Sequence, residues 1–281
     1  MKICISGISG FTGSYLQTFF TERGDEVVGI YRKDFESPEQ LIHKLEGSGV
    51  LIHLTGSPVI QRWTSKNRKQ IFESRILTSQ KLVSALCQCV NPPDVFISAS
   101  AVGIYSSAGV HTESEYCLGT GFMAEICQAW EEAVSEKPEG VRLVNIRMGI
   151  VLGRGGGMLS KILPLFRYGL GGRLGSGHQA FPWIHIDDFS QAILFIIQTN
   201  LSGPINLVSP ATDNSQTFTR ALASVVKRPA VFSVPSFIIR LIFGKAAISI
   251  LDGQSVIPQK LLEAGFEFQH PDLQLALKES V

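Results

Sequence analysis

Apolar residues in this chain fall mostly into short dense runs, not into strict alternation. Lys2–Ser6 (KICIS), Glu26–Tyr31 (EVVGIY), Val50–Leu54 (VLIHL), Val95–Ala99 (VFISA) and Val141–Ile146 are such runs. Strands of this kind are covered on both faces, as in a parallel sheet. Helical stretches separate them: Ser14–Arg23, a short one at Leu41–Leu45, a long one over Lys66–Cys89 stopped by Asn91-Pro92-Pro93, and Phe122–Ser135. Alternating β and α elements predict an α/β fold with a doubly wound parallel sheet. After Arg147 the pattern changes. Helices are expected at Leu159–Tyr168 and Ile186–Gln198, a strand at Ile205–Val208, and a mostly helical, Pro-punctuated tail from Pro229. The long apolar stretch Phe232–Leu251 contains Pro235, Arg240, Gly244 and Lys245, so it reads as a buried amphipathic helix and not as a membrane span. The expected division is a main domain of 1–152 plus about 185–208, and a small lobe of 153–184 plus 209–281.

Length and charge narrow the picture. The 281 residues carry 25 Lys+Arg against 24 Asp+Glu, net +1, with no basic run, which argues against a nucleic-acid partner. Five cysteines without metal-ligand spacing read as reduced thiols filling space. Met1-Lys2 leads straight into the first strand, so no signal peptide and a cytoplasmic protein are expected.

The 27 glycines are unevenly spread. Gly7, Gly10 and Gly13 form G-x-x-G-x-x-G between the first strand and first helix, and nine more lie between Gly153 and Gly177. The first cluster has the physics of a pyrophosphate turn: bare backbone approaches the phosphates, and the following helix aims its free N–H groups at them. The end of the second strand chooses the nucleotide. An acid there suits the ribose 2′-OH of NAD, whereas Arg suits the 2′-phosphate of NADP. Arg32 holds that position, Lys33 adds a second charge, Tyr31 is placed to cover the adenine, and Asp34 comes one or two residues late. NADP(H) is the expected cofactor.

These residues resemble the extended short-chain dehydrogenase/reductase family, which joins such a turn to a later strand ending like His53-Leu54-Thr55-Gly56. Further stretches resemble one atypical branch, the epimerase family of the YfcH or SDR39U1 type. They are Arg147–Gly157 (RMGIVLGRGGG), Gly175–Asp188 (GSGHQAFPWIHIDD), Arg62-Trp63, Glu73-Ser74-Arg75 and Val256–Phe266 (VIPQKLLEAGF). The resemblance covers nearly the whole chain. It implies a Rossmann domain binding NADP(H) and a small C-terminal lobe closing a substrate cleft. Gly7, Ser9, Gly10, Phe11, Thr12 and Gly13 would lie under the pyrophosphate, with Tyr31 and Arg32 at the 2′-phosphate. Leu54, Thr55 and Gly56 would line the adenine and ribose side, Gln70 and Arg75 would reach the cofactor region, and Val151 would lie near the nicotinamide.

Such relatives transfer hydride with Ser/Thr, Tyr and Lys, the last two at i and i+4 on one helix face. Here the helix reads Phe122-Met123-Ala124-Glu125-Ile126-Cys127, and Phe and Ile can neither transfer nor stabilise a proton. Ser98 or Ser100 would be the hydroxyl nearest the nicotinamide, Tyr105 a geometric stand-in, and Glu125 a substitute acid or a solvated surface group. Ser100 and Tyr105 are the catalytic candidates. In the second glycine region, Arg154, Arg173, His178, Gln179 and Trp183 read as substrate contacts on a mobile flap, Arg for phosphate or carboxylate and Trp for stacking. His185, Asp187 and Asp188 make no complete ligand set; Asp187 and Asp188 read as helix caps, and no metal is expected. The expected ligand is a small or nucleotide-linked polar molecule, and the protein a monomer or homodimer. The alternative is an NADP(H)-binding sensor with little turnover.

Overall fold

The computed structural model describes residues 1–281. The first half contains β1 (Lys2–Ser6), α1 (Phe11–Glu22), β2 (Glu26–Ile30), α2 (Pro38–Leu45), β3 (Val50–His53), α3 (Ser65–Glu73), α4 (Ile76–Leu86), β4 (Val95–Ala101), β5 (Val110–His111), α5 (Phe122–Ser135) and β6 (Arg142–Met148). Then come β7 (Ile150–Leu152), α6 (Leu159–Arg167), β8 (Gly172–Leu174), β9 (Trp183–His185), α7 (Ile186–Gln198), β10 (Gly203–Leu207) and α8 (Ser215–Val225). The tail holds β11 (Phe232–Val234), α9 (Ser236–Phe243), α10 (Ile248–Leu251), β12 (Ser255–Val256), α11 (Gln259–Glu263) and α12 (Leu273–Ser280).

Six strands form one parallel sheet in the order β10-β6-β4-β3-β1-β2. The dense apolar runs follow from this position, because helices cover both faces. On one face Ile3, Ile5, Ile52, Ile97 and Ile146 pack with Leu16 and Phe20 of α1 and Phe189 and Ile193 of α7. On the other, Cys4, Leu51 and Phe96 pack with residues of α2, α4 and α5. Chain order reverses direction between β1 and β3. In open α/β sheets such a switch point leaves a crevice at the carboxyl ends of the strands, where ligands bind.

A separate apolar cluster outside the sheet joins Leu152, Leu159, Phe166, Phe181, Trp183, Phe218, Leu222 and Leu277, and builds the smaller lobe. Leu261 and Phe266 return the tail to the core beside the sheet.

Two expected helices differ from the structure. The long helix over Lys66–Cys89 is broken at Ser74-Arg75. Arg75 stands between the two helices as the N-cap of α4, its φ stretched to −110°, and Ser74 Oγ accepts the Ser57 N–H at 2.9 Å, tying the loop after β3 to the break. The stretch Phe232–Leu251 is not one buried helix but β11, α9, a 3₁₀ turn and α10. Gly244 ends α9 at positive φ, and Phe237, Leu241 and Ile242 stay exposed. No helix is long and apolar enough to cross a membrane.

Candidate functional site

The first glycine turn lies at the switch point. Gly7 has φ +76°, and a Cβ there would sit 2.8 Å from the Leu54 carbonyl carbon. A Cβ on Gly13 would overlap the Gly7 carbonyl. The two glycines therefore permit a close stack of turn, helix start and β3 end that larger residues would push apart. Gly10 precedes α1 without a side-chain cap, and no acid occupies the first turn. Gly10 N–H bonds Gly7 O, but the N–H groups of Ile8, Ser9, Phe11, Thr12 and Gly13 make no hydrogen bond. Unpaired donors at an uncapped helix start form an anion cradle.

The strand end next door carries free cations. Arg32 and Lys33 are exposed in a 3₁₀ turn and bond to nothing. Asp34 turns inward: it is buried, pairs with Lys44 Nζ at 2.6 Å and accepts the Tyr31 N–H at 2.6 Å. Burial raises its pKa, but these partners prevail and hold it below the usual carboxylate range. Tyr31 is half-exposed, its ring folded over Gly29 beside Lys44.

Arg75 closes the other side of the crevice. It is 9% exposed, and its guanidinium abuts Gly56 and lies 5.0 Å from the Trp130 ring. Its single hydrogen bond runs to Ile71 O at 3.2 Å, and no carboxylate pairs with it. Burial lowers its pKa. A buried guanidinium without a counter-charge is expensive unless a ligand supplies acceptors. Thr55 Oγ1, Ser98 Oγ and Trp130 Nε1 are likewise buried without a partner. Gln70 is exposed on α3 and joins none of this.

The β4–β6 strand ends carry a buried polar network. Ser100 pairs in register with Arg147, and its Oγ donates to Glu131 Oε1 at 2.7 Å. Arg147 forks onto the same carboxylate at 2.8 Å twice, and its Nη1 donates to Tyr105 Oη at 2.9 Å. Burial works against the Arg147 charge, but Glu131 prevails and raises its pKa. Tyr105 in turn donates to Asn206 Oδ1 at 2.6 Å. It is 1% exposed and stacked on His111, and burial raises its pKa. Both of its hydrogen-bonding directions are engaged, so it stands in the core and not as a free proton donor. Phe122 packs edge-on against Trp63 with Arg68 over its ring, and Glu125 is solvent-exposed.

The second glycine region does not converge. Gly153, Gly156 and Gly157 lie against the Phe11 ring, so this loop rests on the first turn, with Val151 just beneath. Arg154 is spent on Glu279 O at 2.8 Å, and Gln179 on Leu174 O and Ile250 O. Arg173 lays its stem over Gly177 and reaches Ser233 Oγ, and His178 is exposed. Trp183 corrects the stacking expectation: it is fully buried in the lobe core, its indole N–H on Asp213 at 2.9 Å. Capping also differs from expectation. His185 is the N-cap of α7, Asp187 follows in the first turn, and Asp188 instead accepts the Gln269 and His270 N–H groups.

Sequence reading missed Glu131, Arg147 and His270, because strand register and a tail contact bring them into place, and neither leaves a spacing signal.

The model of the NAD dependent epimerase/dehydratase family matches residues 3–208. The chain belongs to that family. A domain of unknown function matches residues 234–280, in the C-terminal tail. The epimerase family protein SDR39U1 of Mus musculus is 35% identical, over 100% of both chains. The crystal structure of human SDR39U1 with NADPH superposes at a TM-score of 0.92 with 31% identity, covering 100% of this chain and 99% of that one. A nucleoside-diphosphate sugar epimerase from Corynebacterium glutamicum gives 0.80 and 29%, covering 100% of this chain and 58% of the other.

Proposed function

We propose that this member of the family binds NADP(H) at the switch point and acts as an atypical oxidoreductase or nucleotide-sugar epimerase-like enzyme on a small or nucleotide-linked polar molecule. The observation that carries the reading is the cradle: five unpaired backbone N–H groups around Gly7, Gly10 and Gly13, at a helix start with no acid. The NADPH in the human relative's crystal structure supports the same reading.

NADP(H), when bound, supplies or takes the hydride. The chain's residues do the rest. The cradle holds the pyrophosphate, and Arg32 with Lys33 pairs the 2′-phosphate; the inward turn of Asp34 removes the acid that would repel it. Leu54, Thr55 and Gly56 line the adenine and ribose side. Arg75 gives its unused donors to ribose or substrate oxygens. With Phe122 and Ile126 in place of Tyr and Lys, proton movement falls to Ser100. Ser100 donates to Glu131, which makes a two-way relay: in oxidation the substrate hydroxyl gives its proton to Ser100 as Ser100 gives its own to the Glu131 carboxylate, and in reduction the proton returns from Glu131 through Ser100 to the substrate oxygen. Tyr105 positions Arg147, which in turn orients Glu131.

The low exposure of Ser100 and Tyr105, 2% and 1%, favours a second reading, an NADP(H) sensor with little turnover. Purified protein with NADPH or NADP⁺ and a panel of ketones, quinones and nucleotide sugars, read by absorbance and by the epimer content of the sugars, separates the two. NADPH oxidation that disappears in both Arg32→Glu and Ser100→Ala supports the enzyme. Tight NADPH binding without turnover on any panel member supports the sensor and refutes the catalytic reading.

A further inference from the structure

At the start of α7 three donors meet that the site above does not use. His185 Nδ1 and His270 Nε2 each lie 3.4 Å from Asp187 Oδ2; Nδ1 also accepts the Asp187 N–H at 3.3 Å as the cap of α7, a bond that a metal ion there would replace. One donor atom from each residue falls within 4.8 Å of the other two. Two come from α7 and its cap, and the third from the loop before α12.

A tetrahedral divalent ion bonds nitrogen and oxygen at about 2.0–2.2 Å, which separates its ligand atoms by roughly 3.3–3.5 Å. Both histidine–aspartate edges already have that length. The histidine–histidine edge lies within 4.8 Å and must shorten to that length on binding; the two ring centroids are 4.1 Å apart. The surroundings resemble an outer shell. Tyr15 of α1 donates to the other oxygen of Asp187, orienting the carboxylate. Asp188 grips the backbone N–H groups of Gln269 and His270 at 2.7 and 2.9 Å, fixing the peptide that carries the third ligand. The Asp187 side chain is 35% exposed, so water has access to the remaining coordination position. Imidazole and carboxylate together suit zinc.

We propose that His185, Asp187 and His270 form a divalent transition-metal site, best suited to Zn²⁺, that fastens the C-terminal segment to α1 and α7. Full-length protein stripped by chelator is titrated with Zn²⁺ by calorimetry and with Co²⁺ by absorption. The expected result is one tight site, visible Co²⁺ bands without a thiolate charge-transfer band, and a higher Tm with metal. His270→Ala and Asp187→Asn should remove the tight site and the Tm shift while circular dichroism stays native. Tyr15→Phe should weaken binding about 10- to 100-fold. Absence of saturable binding overturns the proposal. So does binding that persists in His270→Ala, or that carries a thiolate band from the five cysteines.

Discussion

The two glycine-rich regions use the same residue for opposite ends. Around Gly7 and Gly13, glycine keeps backbone bare: the turn presses on Leu54, the helix start is uncapped and its N–H groups are free. Between Gly153 and Gly177, most glycines make room for protein, while Gly155 and Gly169 face open space at positive φ. Phe11, Phe166 and the stem of Arg173 occupy the space that side chains there would fill. The polar residues interspersed are committed in the same way, Arg154 to a carbonyl of α12 and Gln179 to two carbonyls. Glycine density thus marks close approach, and what approaches decides whether the loop binds a ligand or packs a lobe.

Substitution should break this comparison unequally. Gly13→Val places a side chain through the Gly7 carbonyl. It should abolish saturable NADPH binding, a loss of at least about 100-fold for a turn that only bare backbone can form, measured by fluorescence titration.

Next in size is an effect on the strand ends beneath the first region. His53 is fully buried, bonded to Ser6 at 2.6 Å and Ser79 at 3.1 Å, and burial with Arg75 nearby lowers its pKa to about 3. The unfolded chain binds a proton near pH 6.5 that the folded chain refuses until about pH 3. This contribution is therefore present above pH 6.5 and is lost as pH falls toward 3. It amounts to a few kcal/mol. Urea unfolding at pH 7 and 4.5 should show that loss, and His53→Gln should flatten it.

In the second region the changes should be smaller and should spare the cofactor. Gly177→Ala, at φ +77°, should destabilise by about 1–2 kcal/mol and leave NADPH affinity unchanged. Arg154→Ala removes one exposed hydrogen bond to α12 and should cost roughly 0.5–1 kcal/mol of stability. A large fall in NADPH affinity from either would show that the second loop grips the cofactor and does not merely rest on Phe11.

Much of the fold was legible because burial on both faces leaves dense apolar runs, and because turn chemistry is local. The strand at Lys2–Ser6, the turn after it and the cations at Arg32 and Lys33 are all read from adjacent residues. The network from Ser100 through Glu131 to Arg147 was not, since it depends on the pairing of β4 with β6 and on which face α5 presents. Trp183 misled for a related reason. An indole among glycines looks like a stacking surface until Asp213 and the lobe core close over it. The break at Arg75 was hidden because both flanking segments are good helix, and the interruption comes from a loop tied to Ser74.

Together the bare turn and the free cations beside it would form the NADP(H) site. The most direct test is parallel titration of NADPH and NADH into wild-type protein and Arg32→Glu, read as a ratio of Kd values. NADPH should bind about 10- to 100-fold more tightly than NADH, the range of a charge-assisted phosphate contact, and the variant should lose that preference while NADH affinity stays the same. Equal affinities in the wild type, or a preference that survives in Arg32→Glu, would contradict this assignment.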